Sequence, residues 1–297
     1  MKYFTTRAEN VRLDDNVRRI HRGSYVRTGR FMTHYELAGP EGGELIVFVG
    51  GLTIPLYYWD RLTPRMHEAG FRTLTFSGYG RGYSDRPQVK YDEVLFVEQL
   101  RGLCVALGVQ PQHVVGTSMG ALVSMAFVQQ YPNGVDSTTL IGPAGLDDSV
   151  PRAAALLNHD KLGAVIGKVA GRRVLDRHLG RNVADPVLGQ ELAGMIEHCY
   201  CVEGSLYALC STVADFALAG RQQLYADHHS GGVPSFLIWG SEDQVTPISR
   251  FDDVESLLSP SQALVIEQCG HMASFEKPEH VSSSLIEFMN KIRRDQR

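Results

Sequence analysis

The feature that most limits the fold of this 297-residue chain is a series of short, continuous apolar runs separated by helical patterns. Leu45-Ile-Val-Phe-Val49 is apolar at every position, as a strand buried on both faces requires. Residues 72–76, 113–115, 138–141, 235–239 and 263–266 read as further buried strands. Between them, residues 92–107 space Val94, Leu95, Val97, Leu100, Leu103, Val105 and Leu107 roughly as one helix face. Residues 119–131 form a second such stretch, closed by Pro132-Asn133-Gly134. Alternation of this kind implies an α/β chain, a mostly parallel sheet with helices on both faces. Residues 24–27 and 31–37 read as strands paired through a Thr28-Gly29 turn, bringing the expected sheet to about eight strands.

The alternation breaks between residues 145 and 232. That span is rich in Ala, Leu and Arg and holds no convincing strand. It reads as several helices with breaks near Gly163, Gly180 and Pro186, and strand–helix alternation resumes at Pro234. The expected organisation is therefore a core of residues 1–143 and 232–297, with a helical cap inserted at 144–231.

Composition excludes several functions. The chain is 43% hydrophobic and 21% charged, near globular averages. A net charge of −4 argues against a nucleic-acid binder. Five arginines lie between Arg18 and Arg30, interleaved with Tyr25 and Val26, a pattern that suits the exposed face of a strand. Five cysteines, without a framework spacing, favour free thiols in a reducing compartment, and no cysteine or histidine pairing has a metal-ligand spacing. The N-terminus has no apolar signal-peptide core, and no window has the length to span a bilayer. The expectation is a cytoplasmic protein of unknown oligomeric state, acting on a small molecule without nucleic acid, cofactor or metal.

Chemistry concentrates at three places. Gly116-Thr117-Ser118-Met119-Gly120 has the G-x-S-x-G form of a nucleophile elbow, and it lies between a buried strand and an apolar helix. A tight strand-to-helix turn holds the serine hydroxyl clear of the sheet, and the flanking glycines avoid collisions within the turn. A serine hydroxyl needs a base to take its proton. Downstream, Asp243 follows the strand ending at Trp239 and His271 follows the strand ending near Ile266, giving the chain order Ser, Asp, His. Asp147, Asp148 and Glu242 compete with Asp243 as the acid. Trp59 and Trp239 read as packing residues.

These motifs resemble those of the α/β-hydrolase superfamily, in its serine-nucleophile branch with a helical cap. Gly-His-Met-Ala-Ser-Phe-Glu-Lys-Pro-Glu279 is similar to the family's histidine loop, and Trp239-Gly-x-x-Asp243 to its acid loop. Gly78-Tyr-Gly-Arg-Gly-Tyr-Ser-Asp-Arg-Pro87 is similar to the glycine-rich loop after the fourth strand. The resemblance implies Ser118 as nucleophile, His271 as base and Asp243 as its orienting acid. It implies oxyanion-hole donors at the backbone N–H groups of Leu52 and Met119, with Gly51, Thr53 and Arg152 on the substrate side. Where the family usually has His-Gly after the third strand, this chain has Gly50-Gly51. The segment Gly142-Pro-Ala-Gly-Leu146 resembles the start of the cap in carbon–carbon bond hydrolases. Within the cap, Arg152, Lys161, Lys168, Arg172, Arg173, Arg177 and Arg181 are the candidates to hold a substrate carboxylate in a bidentate contact. The implied activity is esterase-like or carbon–carbon hydrolysis of an ester, thioester, lactone or β-diketone-like carbonyl through an acyl-enzyme. A lyase, cyclase or acyltransferase using the same triad is the alternative reading, and a binding protein on this fold a third.

Overall fold

The computed structural model of the chain describes residues 1–146 and 156–296. Eight strands form one sheet: β1 (Ser24–Thr28), β2 (Phe31–Ala38), β3 (Leu45–Val49), β4 (Arg72–Phe76), β5 (His113–Thr117), β6 (Ser137–Ile141), β7 (Ser235–Gly240) and β8 (Gln262–Ile266). Their spatial order is β1-β2-β4-β3-β5-β6-β7-β8. Only β2 runs against its neighbours, and every pair from β4 to β8 is parallel. The expected α/β sheet is thus present. β3, β5, β6 and β7 bury every residue, which explains why their sequences are continuous apolar or β-branched runs rather than alternating ones.

Helix α1 spans Asp15–Ile20 and α2 spans Thr63–Glu68. α3 (Glu93–Leu107) starts where the Asp92 carboxylate caps the Leu95 N–H at 3.0 Å and stops at Gly108, whose φ of 63° a residue with a Cβ resists. α4 (Met119–Gln130) is buried from Met119 to Val128, so it is hydrophobic all round rather than amphipathic.

Among the described residues, four α-helices stand between β6 and β7: α5 (Asp160–Leu179), α6 (Pro186–Tyr200), α7 (Ser205–Asp215) and α8 (Gln222–Ser230). Gly180 and Pro186 bound helices as expected. Gly163 does not break one: it lies inside α5, which runs unbroken to Leu179. A Cβ there would strike the Leu157 carbonyl oxygen, so this glycine permits a close backbone crossing rather than a bend. Arg18 and Arg19 also depart from expectation. They lie in α1 rather than on a strand face, because Asp14 caps that helix through the Asn16 and Val17 N–H groups. The Arg18 guanidinium then reaches the Asp85 carboxylate at 2.6 Å.

The four helices rest on loops that follow the parallel strands. Gly80, after β4, lies against Ala208 of α7, and Gly270, after β8, lies against Val183 and Ala184 between α5 and α6. The N-terminal segment crosses the same helices: Val11 pairs with Val202, and the buried Glu9 carboxylate accepts the Leu206 N–H at 2.9 Å. Towards the C-terminus, α9 (Phe251–Leu258), α10 (Ala273–Glu276) and α11 (Pro278–Asp295) complete the chain. Trp59 and Trp239 are both fully buried in the core, as packing residues. All five cysteines are free, and four of them are buried.

Candidate active site

Parallel strands present their carboxyl ends along one edge, and the sequence-derived residues gather there. β5 ends at Thr117, and Ser118 turns the chain into α4 with φ 55° and ψ −122°. Only two other non-glycine described residues have positive φ, Ser259 and Gln268. Such a conformation costs of order 1–3 kcal/mol and persists only where the surroundings impose it. Here they do. A Cβ on Gly116 would strike Ser124 Oγ and the Gly120 carbonyl, and one on Gly120 would strike the carbonyls of Val49 and Gly50. Strand, turn and helix are packed backbone to backbone, and only glycine fits on either side of the serine. Ser118 itself is 6% exposed.

The Ser118 N–H donates to the Ile141 carbonyl at 3.0 Å, joining the turn to the end of β6. The next residue, Gly142, has φ 48°, and its Cβ position lies 3.1 Å from Asp243 Oδ2 and 3.2 Å from His271 Nδ1. The loops carrying Asp243 and His271 therefore stand one residue beyond the strand that neighbours Ser118. Asp243 Oδ2 and His271 Nδ1 are 2.7 Å apart, and both side chains are wholly buried. Asp243 Oδ1 accepts the N–H groups of Val245 and Thr246, each at 2.8 Å, and Oδ2 accepts the Thr246 hydroxyl at 2.8 Å. Three donors thus hold this carboxylate, and its remaining direction meets the imidazole. His271 Nε2, the opposite ring nitrogen, is buried without a hydrogen-bond partner. Of the competing acids, Glu242 is exposed, and Asp147 and Asp148 lie outside the described residues.

The two loops are stitched together. Glu242 N–H donates to the Cys269 carbonyl at 2.9 Å, and Gly240 lies so close to Cys269 and Gly270 that a Cβ would collide with their carbonyls. The buried Glu276 carboxylate accepts Gly270 N–H on one oxygen and Ala184 N–H on the other, each at 2.9 Å. Burial raises its pKa against those hydrogen bonds. The Met272 N–H donates to the Asn182 carbonyl at 3.0 Å. The histidine loop is thereby bound to the segment between α5 and α6. His178, near the end of α5, has its pKa pushed down to about 4, first by burial and then by the His271 charge.

On the opposite side, Gly50-Gly51-Leu52-Thr53 follows β3. A Cβ on Gly51 would lie 3.1 Å from Ser118 Cβ, so the loop passes directly over Ser118. Met119 opens α4, whose N-terminal N–H groups carry partial positive charge. Thr53 is buried, and its Oγ1 has no partner among the described residues. The Leu52 carbonyl accepts Arg81 Nε–H at 2.8 Å. Arg152 lies outside the described residues.

Sequence reasoning assigned no role to Thr246, Glu276, Asn182 or Arg81. Thr246 and Glu276 sat inside stretches already singled out, three residues after the acid and five after the histidine. Asn182 lies in helical sequence with no motif, and nothing in the chain announces it.

A family model for the α/β-hydrolase fold matches residues 44–278. The monoacylglycerol lipase of Mus musculus is 24% identical over 234 residues, 71% of this chain and 66% of that protein. The dihydrolipoyllysine-residue acetyltransferase component of the acetoin cleaving system of Pseudomonas putida is 28% identical over 267 residues, 89% of this chain and 68% of that protein. The chain thus spans about two thirds of the length of these relatives. Among solved structures, a thermophilic esterase from Thermogutta terrifontis superimposes with a TM-score of 0.75 at 19% identity, covering 92% of this chain and 99% of the other.

Proposed function

This chain belongs to the α/β-hydrolase fold family, and from that premise we propose that it is a serine hydrolase acting through an acyl-enzyme on Ser118. The observation that carries the reading is the buried Asp243–His271 pair, 2.7 Å apart, beside a serine held at φ 55°. In this mechanism His271 Nε2 takes the Ser118 proton as Oγ attacks a carbonyl carbon. Asp243, acting at Nδ1, fixes the tautomer that leaves Nε2 free and stabilises the imidazolium. The N–H groups of Leu52 and Met119 receive the developing oxyanion. His271 then protonates the leaving group, and water, activated by the same imidazole, cleaves the acyl-enzyme. Nucleophile, base and oxyanion donors all come from the chain, so the chemistry calls for no cofactor.

The substrate is a small or medium carbonyl compound, an ester, thioester, lactone or β-diketone-like ketone, enclosed beneath residues 144–231 acting as a cap. Thr53 Oγ1, buried and unpartnered, supports a polar contact to it. The names of the relatives, a lipase and an esterase, agree with carbonyl cleavage. A second reading, acyl transfer to an acceptor other than water, is supported by the Pseudomonas putida acetyltransferase component. Turnover of an ester, thioester, lactone and diketone panel in oxygen-18 water separates the two: hydrolysis places the label in the released acid, and transfer does not. Ser118→Ala is expected to lower turnover by at least about 10³-fold with the thermal unfolding midpoint unchanged. A Ser118→Ala enzyme that retains the wild-type rate would sink the assignment.

A further inference from the structure

Arg81, in the glycine-rich loop after β4, is 1% exposed. Among the described residues no carboxylate pairs with it. Its donors go instead to three neutral acceptors in three segments: Nε to the Leu52 carbonyl at 2.8 Å, Nη1 to the Tyr79 carbonyl at 2.9 Å, and Nη2 to Thr212 Oγ1 of α7 at 2.8 Å. The guanidinium also lies over the rings of Phe96 and Tyr91, 5.1 and 5.9 Å from their centroids. With Gly50, Gly51 and Met119 it borders an enclosed cavity of about 10 Å³, room for about one water. Burial lowers its pKa, yet arginine starts so high that it stays charged.

A fully buried cation without a counter-ion is costly, and a purely structural tie needs no charge. The position of this one is informative. Gly50-Gly51 has no side chain to brace it, and two successive glycines leave a loop with the widest choice of backbone conformations. That loop carries the Leu52 N–H and passes over Ser118. Arg81 supplies a brace from outside. A guanidinium holds several acceptors at once in one plane, which an ammonium cannot do.

We infer that Arg81 is a positioning residue for the oxyanion hole: it holds the Leu52 carbonyl so that the adjoining N–H stays directed at the reacting carbonyl, and through Thr212 it couples that geometry to the seating of α7. This rests on the acyl-enzyme reading above. Its charge also borders the small cavity it shares with Gly50, Gly51 and Met119.

The test compares wild type, Arg81→Met and Arg81→Lys in kcat and KM for an ester, and in affinity for a boronic acid, which forms a tetrahedral adduct with the serine. Loss of oxyanion alignment is expected to lower kcat and boronic-acid affinity together, by about 10²-fold in Arg81→Met, with KM within about threefold. Arg81→Lys, which keeps the charge but serves one acceptor, is expected to recover only part. Folded Met and Lys variants with wild-type kcat and boronic-acid affinity overturn the inference, as does a fall in kcat with boronic-acid affinity unchanged. If the Met variant does not fold, the Lys variant decides by the same two readouts. A wild type that neither turns over esters nor binds the boronic acid overturns the proposed function and this inference with it. A wild type that does both, with unaffected variants, overturns the inference alone.

Discussion

Ser118 holds a backbone conformation that a serine adopts only under constraint, and the constraint is visible atom by atom in the glycines around it. The same local logic applies to Asp243. Its carboxylate is aimed by the Val245 and Thr246 N–H groups and by the Thr246 hydroxyl, which also stands 3.2 Å from His271 Nδ1. Thr246→Val removes one hydrogen bond to a charged group without changing side-chain volume much. A hydrogen bond of that kind contributes about 1.5–3 kcal/mol. The variant is expected to lose about 10- to 100-fold in kcat with KM little changed, read by steady-state kinetics on any ester the wild type accepts. An unchanged kcat would mean that Thr246 only packs. At this scale the sequence was legible where chemistry imposes a spacing: Ser118 between glycines, Asp243 and His271 each just past a strand. Glu276, Asn182 and Arg81 were not legible, because each meets a partner far along the chain; Thr246 lies only three residues from Asp243 but carries no motif of its own. Arg81 meets Thr212 across 131 positions, and no local pattern encodes that meeting.

At the scale of elements, the buried strands could be read because a strand covered on both faces has no polar alternation to confuse it. α5 was harder. A glycine within a helical pattern signals a break as readily as a close contact, and only the Leu157 carbonyl above Gly163 distinguishes them. The elbow glycines make a sharper case. Gly120 lies in α4 with the Val49 and Gly50 carbonyls against the space a Cβ would take. Gly120→Ala is expected to destabilise the fold by more than about 3 kcal/mol, or to prevent its recovery in soluble form, because main-chain oxygens have nowhere to move. Gly194→Ala, in α6, is its control. Nothing lies within 4 Å of that Cβ position, so the substitution is expected to stabilise by up to about 1 kcal/mol through helix propensity alone. Urea unfolding midpoints measure both, and two variants equal to wild type would contradict the packing described at the elbow.

For the whole molecule, acid sensitivity follows from histidines held neutral in the core. His34 and His228, both buried, have pKa values pushed down from 6.5 to about 4, chiefly by burial. The unfolded chain takes up these protons near pH 6.5, whereas the folded chain resists until about pH 4. Their contribution is therefore complete above pH 6.5 and is lost as pH falls towards 4, at most about 3 kcal/mol for each. Glu44, whose carboxyl is held low first by the Arg293 guanidinium, adds a loss of the same sign below the ordinary carboxylate range. Unfolding free energy is expected to fall steeply from pH 7 to pH 4.5, and less steeply in His228→Leu. Equal stability at the two pH values would contradict the burial of both rings. At this scale the sequence conveyed the core and its interruption by helices, but not the N-terminal strand of contacts from Glu9 and Val11 to the residues around Val202 and Leu206, which joins segments about 190 positions apart. The central claim is that the assembled molecule activates one serine, and intact-mass analysis after fluorophosphonate treatment tests it most directly, since such a probe reacts with a serine activated by a base and spares ordinary ones. The account predicts a single adduct on wild type, none on Ser118→Ala. A folded wild type that takes up no label, or a Ser118→Ala protein that labels equally, would contradict it.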